Sequence, residues 1–287
     1  MERLELSCAL PMTANKLKEI LMDIKSGVRT WEEENKDCIV KSMIEHIGTT
    51  DSELRDNLIY SSFYQLIREK NQVEHELLDE LLDLCLNDLL FKGIGENGTD
   101  TVFTRSFTTL LIALILYRDN EDNFLSQDMI LKTKDKLIDY INLEKDLRGF
   151  VSVKGWAHSI AHVTDAVEEL VKSPKIEREY YLKILKVLWS KVLVSTSVYI
   201  HNEDERILIP ILEMMSNGLK QAEVITLIQH IPVELKTQKE LIKEEGYWFL
   251  YFNCKTFLKS FYIKVNTNRE LISLKKSIEK CLFEISL

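Results

Sequence analysis

Glycine and proline are scarce, 9 and 4 among 287 residues. Strand-and-turn architectures need a glycine or proline signal every few residues, so the scarcity argues against one. Positive charge is also short: 37 Lys and Arg face 46 Asp and Glu, for a net charge of −9. A chain of that sign lacks the basic surface that phosphate backbones require, which argues against a nucleic-acid partner. Cysteine is sparse and odd in number (Cys8, Cys38, Cys85, Cys254 and Cys281), with no CxxC and no zinc-like spacing to histidine. Five reduced thiols in a reducing compartment are expected, packed as small apolar groups. Long greasy runs are missing as well. The longest, Phe107 to Tyr117, falls short of the roughly 20 apolar residues of a bilayer span. The opening MERLELSCALPM has acids at Glu2 and Glu5 and no unbroken apolar stretch, a poor secretion signal. A cytoplasmic protein with no transmembrane segment is the expectation.

What is present is helical periodicity, in a chain that is 45% hydrophobic and 29% charged, the balance of a folded globular protein. The pattern predicts twelve segments: 13–26, 31–47, 51–70, 72–92, 100–118, 126–145, 155–172, 176–197, 202–217, 219–230, 234–263 (interrupted near Gly246) and 267–285. Asp51 and Ser126 are placed to cap free backbone N–H groups, with Glu53 and Asp128 adding favourable first-turn charge. Pro174 and Pro232 fall in connections, whereas Pro210 lies inside a predicted helix and should kink it or move its start. Two helices in about every 45 residues, with no strand signal between, is the rhythm of a HEAT- or armadillo-like stack. The fold class expected is therefore all-α: an antiparallel helical array forming an α-α superhelix. A closed helical bundle or α/α toroid fits the same pattern. No linker composition interrupts the chain, so residues 1–287 read as one domain.

Charge and aromatics are skewed toward one end. Residues 254–287 hold 7 basic and 3 acidic side chains, a net +4 that leaves −13 for the rest. Tyr247, Trp248, Phe249, Tyr251, Phe252, Phe257, Phe261 and Tyr262 crowd the same region. These residues read as basic, aromatic-rich capping helices with rings turned inward. The alternative is a surface for an acidic partner or lipid.

Successive antiparallel helices place every second loop on the same edge of an array. One edge then carries Gly48–Asp51, Gly93–Thr99, Asp146–Lys154 and Val198–Asn202, with Arg105, Ser106, Arg148, His201 and Glu203 nearby. Longer, glycine-bearing loops gathered on one edge are where binding functions reside.

The densest chemistry lies in DLRGFVSVKGWAHSIAHVTDAVEEL, Asp146 to Leu170. At about 100° per residue, Trp156, Ile160, Val163, Val167 and Leu170 form a core-facing stripe. His158, His162, Asp165 and Glu169 line the opposite side, flanked by the small Ala157 and Ala161. Histidines four apart on a helix can share a metal such as zinc, with Asp165 adding an oxygen and His201 or Glu203 a fourth ligand. No glutamate follows the first histidine to act as a protease base. The leading alternative for the same residues is a structural network, either a solvated face on which Asp165 pairs with His162 or a buried hydrogen-bonding network, with a non-metal ligand pocket after it.

The blocks VFTRSF, LYRDNEDNFLS, DLRGFV, KGWAHSIAHVTDA and VYIHNEDER resemble a bacterial family known as domain of unknown function 2785, over roughly Gly48 to Arg206. The resemblance implies that Arg105, Arg148, Gly155, Trp156, His158, His162, Asp165, Glu203, Asp204 and Arg206 occupy the family's motif positions. It implies no activity. Val163-Thr164 stands where that pattern has glycine or alanine, and the bulkier pair would narrow a pocket beside His162.

Arg105, Arg118, Arg148 and Arg206 each lie close to an acid or serine, so they read as loop-locking ion pairs or as an anion pocket. Gly93-Ile94-Gly95 lacks the strand and lysine of a phosphate loop, and no GxSxG accompanies Ser106 or Ser159. The leading expectation is a soluble helical protein binding a partner or a small, anionic ligand through Arg105, Arg148, Trp156, His158, His162, His201, Glu203 and Arg206. A metal-dependent hydrolase using His158, His162 and Asp165 is the second reading, and a purely structural interaction module the third.

Overall fold

The computed structural model describes residues 11–286. Cys8 and all but the last two residues of the poor secretion signal lie outside them. Among the described residues, twelve α-helices with short 3-10 and π turns make the chain 72% helical, against two paired strands of two residues each. The fold is all-α. The chain packs as two compact units: one runs to Phe124 and takes in Glu144–Ser159, the other comprises Leu125–Leu143 and Ile160–Leu287.

In the first unit, α1 (Ala14–Ser26) opens with the Thr13 hydroxyl accepting from Lys16 N–H and closes at Gly27, whose φ of 77° suits a glycine. Asn35 caps α2 (Lys36–Glu45) by accepting from Cys38 N–H. The predicted helix 51–70 forms, but only Ser61–Phe63 (α3) winds as α-helix, between π-helical Glu53–Tyr60 and Tyr64–Glu69. Asp51 caps this stretch as expected, accepting from Glu53 and Leu54 N–H at 3.0 and 3.1 Å. α4 (His75–Leu84) also continues into a π-helical turn, Cys85–Leu89.

The first unit is organised around α5 (Thr101–Asp122), buried continuously from Val102 to Leu116. By length and composition this helix could cross a membrane, but 83% of its most apolar window is buried inside protein. The helix extends beyond the Phe107–Tyr117 run at both ends. Its buried hydroxyls are satisfied locally: Thr108 donates to Thr104 O and Thr109 to Ser106 O, both at 2.7 Å.

The first unit also holds β1 (Phe150–Val151) and β2 (Gly155–Trp156), antiparallel, with Phe150 opposite Trp156 and Val151 opposite Gly155. The helix expected from residue 155 is a hairpin arm at that point. Val153 and Gly155 both adopt positive φ, 69° and 79°, which a helix cannot contain.

The second unit holds α6 (Gln127–Leu143), α7 (Ser159–Lys172, all but its first residue), α8 (Tyr181–Ser190), α9 (Glu203–Ser216), α10 (Gln221–Leu241), α11 (Glu244–Val265) and α12 (Ile272–Ile285). α11 packs on α9, α10 and α12. Pro210 sits inside α9 as expected. Pro232 does not sit in a connection: α10 runs through it, since the buried stripe Val224, Ile228, Ile231 and Leu235 outweighs one missing N–H. The break falls at Ile242-Lys243 instead, and Gly246 lies in the first turn of α11. The helix predicted over 176–197 contracts to α8. The irregular chain after it is held by buried Asn253, which accepts from Tyr199 N–H and donates to Val194 O and Ser197 O at 2.9 to 3.0 Å.

One cysteine departs from expectation. Cys38 is disulfide-bonded. Cys85, Cys254 and Cys281 are free and buried, and burial pushes the last two thiols up to about 12.

Candidate functional site

Three of the four loops expected on one edge meet in the first unit, and buried arginines join them. Arg55, fully buried, donates to Thr49 O and Lys154 O, both at 2.6 Å, tying the Gly48–Asp51 loop to the hairpin 99 residues on. Its guanidinium lies 4.3 Å from the Phe103 ring centre and 4.7 Å from that of Phe107, so cation–π attraction offsets part of its desolvation. Asp56 stands 2.8 Å from its Nε. Burial pulls the Arg55 guanidinium down and pushes the Asp56 carboxyl up, each opposed by the other's charge. The hairpin seats closely: a Cβ on Gly155 would fall 2.6 Å from Ser52 Cβ. Val102, Phe103 and Ala157 form the apolar cluster beneath it, with Val151 packed on top.

Arg105 joins the Gly93–Thr99 loop to the chain after α6. It pairs with Glu144 at two points, 2.8 and 3.0 Å, both side chains fully buried. Its remaining nitrogen donates to Lys92 O, Gly93 O and Thr101 Oγ1. Asp146, also buried, accepts from Gly98 N–H at 3.0 Å and from Arg148 Nε and Nη2 at 2.8 and 2.6 Å. Arg148 Nη2 also reaches Thr99 O at 2.6 Å. The Asp146 hydrogen bond holds the Arg148 guanidinium above its ordinary value. Ser159, weighed as a nucleophile, donates its hydroxyl proton to Asp146 O.

On this base the hairpin presents an aromatic face. Trp156 does not belong to the core stripe: it is 38% exposed, Phe150 53% and Val153 92%. Phe150 meets Trp156 edge-on at 5.2 Å, and the His158 ring stacks on Trp156 at 4.6 Å with 21° between planes. The backbone fixes that stack, since Ala157 N–H donates to Gly149 O at 2.8 Å and His158 N–H to Arg148 O at 3.0 Å. Lys154 folds back onto Asp100 at 2.7 Å. Arg148, Trp156 and His158 are thus together, although the sequence reading set Trp156 and His158 on opposite faces of one helix.

The remaining predicted residues belong to the second unit. His162 and Asp165 lie on α7, and Arg206 of α9 clasps Asp165 through Nε at 2.9 Å and through Nη2. Glu203, at the start of α9, accepts from His201 N–H at 2.8 Å and lies 3.8 Å from His201 Nδ1. His158 is not on the α7 face: its φ is 48° and it precedes Ser159, the first helical residue. The four-residue helical spacing read for His158 and His162 is therefore not formed. Among the described residues, no group of three His, Cys, Asp or Glu is placed to hold a metal ion. Arg105, Arg148 and Arg206 each engage a carboxylate, the loop-locking alternative to an anion pocket.

Sequence reasoning missed Arg55, Glu144 and Asp146 as organisers. A signal for Arg55 existed: it heads the stripe Leu58, Ile59, Ser62, Leu66, all buried, where an unpaired charge does not belong.

Fold and site together define an all-helical protein whose first unit fixes a short aromatic hairpin through the buried Arg55. Residues 90–263 match the family described as Protein of unknown function (DUF2785), and the chain belongs to that family. The match begins later than the expected Gly48 and extends beyond Arg206 into α11. No curated protein and no solved structure matches the chain at a significant level.

Proposed function

We propose that the chain is a binding module, and that its working surface is the Phe150–Trp156 hairpin with His158. The observation that carries this reading is a cluster of three rings, Phe150 and Trp156 exposed and His158 stacked on Trp156, on a hairpin tied down by the fully buried Arg55. Binding residues typically stand on loops that a rigid scaffold positions, and prior ordering lowers the entropic cost of recognition. The ligand carries a flat ring, as a small molecule or as an aromatic side chain of a partner protein, because stacking is what this surface offers. An anionic group on the ligand would sit toward Arg148, whose charge Asp146 largely offsets, so stacking outweighs ion pairing. The helices of the first unit act as support, in the manner of HEAT-like stacks.

The test is a thermal-shift screen of ring-bearing phosphorylated and carboxylated metabolites against wild type and Trp156→Ala. A compound that stabilises the wild type and loses its effect in Trp156→Ala supports the reading. Silence across a broad panel, or hits that Trp156→Ala leaves unchanged, contradicts it.

A further inference from the structure

The aromatic residues of α11 divide between two faces. Phe257 and Phe261 are buried, with Leu250, Cys254, Leu258 and Val265, and hold the helix in its unit. Trp248, Phe252 and Ile263 point outward and are 53%, 56% and 71% exposed. At about 100° per residue these three share one stripe, and Lys255 and Lys259 fall between them on it. Lys255 donates to the Tyr251 hydroxyl at 2.9 Å and lies 5.1 Å from that ring centre. Lys275 of α12 lies 5.4 Å from the ring centre of Tyr262. The capping-helix expectation, with rings turned inward, describes one side of α11 only.

Charge sets the partner's sign. The segment from Cys254 on carries a net +4 while the preceding residues carry −13. Alternating exposed rings and lysines are what an interfacial helix uses: rings settle at the headgroup boundary and ammonium groups reach lipid phosphates. We propose that this face of α11 docks peripherally on an anionic lipid bilayer. Trp248, Phe252 and Ile263 enter the headgroup layer, and Lys255, Lys259 and Lys275 contact its phosphates. The acidic remainder of the chain is repelled by the same surface, which orients the protein.

Co-sedimentation of the full chain with vesicles tests this, comparing mixed phosphatidylcholine and phosphatidylglycerol with phosphatidylcholine alone. The expected result is binding to the mixed vesicles only, weakening as salt rises. Lys255→Glu with Lys259→Glu should lower partitioning at least about tenfold. Trp248→Ala with Phe252→Ala should lower it too, and circular dichroism checks that both exposed-site variants remain folded. No binding to mixed vesicles at low salt, equal binding to both vesicles, or folded variants that bind like wild type overturns the proposal. Binding to polyglutamate without binding to vesicles also overturns it, and would assign the face to an acidic protein.

Discussion

Arg105 and Glu144, 39 residues apart in sequence, meet in a two-point ion pair with both side chains fully buried. Neither charge has solvent to fall back on, so removing one partner strands the other. Arg105→Met or Glu144→Gln alone should destabilise the protein by about 3–5 kcal/mol. The double variant should cost clearly less than the sum of the two. Urea unfolding of the four members of the cycle measures this, and additive losses would refute the coupling.

Gly155 makes the hairpin's close seat possible. Its φ of 79° and the 2.6 Å approach of an added Cβ to Ser52 both oppose a side chain. Gly155→Ala should cost more than about 1 kcal/mol and weaken any ligand that depends on Trp156. An unchanged melting temperature would show that the backbone there yields freely.

Asp51 supplies a pH-dependent contribution. Its carboxylate accepts from Lys18 at 2.7 Å, and that hydrogen bond, against partial desolvation, holds it below the usual carboxylate range. A folded value below the unfolded one means stability present above about pH 4 and lost as pH falls through the folded value. Asp51→Asn keeps the capping oxygen but not the charge. Its melting temperature should therefore fall less steeply than that of wild type on acidification, and parallel curves would contradict the assignment.

In the second unit, Asn253 holds the irregular chain after α8 through three buried hydrogen bonds. Asn253→Ala should cost about 1–3 kcal/mol by leaving buried backbone groups unpaired. Chemical denaturation checks this, and a neutral result would mean that water replaces the side chain.

The helices were legible because periodicity survives in a single sequence: α1, α6 and α9 start and stop within two residues of their predicted limits, while α5 runs four residues longer and α12 starts five residues later. Of the four loops read onto one edge, three are tied together in the first unit, by Arg55 at Thr49 and by Asp146 at Gly98, and Val198–Asn202 belongs to the second unit. What failed was local. The apolar spacing that begins at Trp156 reads as a helix from residue 155, but positive φ at Val153, Gly155 and His158 keeps residues 155–158 in a hairpin arm and the turn after it, and spacing carries no sign of φ. That single misreading put His158 on a helix and Trp156 in the core. Pro232 misled in the opposite sense, because tertiary burial of α10 overrode a local breaker.

Binding at this surface requires a hairpin held in place before any ligand arrives, and Arg55 is the residue that ties it to the Gly48–Asp51 loop. Amide hydrogen exchange at Ala157 and His158 measures this directly, in wild type and in Arg55→Lys, which keeps the charge but loses the two-carbonyl fork. Slow exchange is expected in the wild type, and exchange at least about tenfold faster in the variant. Wild-type exchange at these amides as fast as in an exposed loop, or no change in Arg55→Lys, would contradict the proposed binding surface.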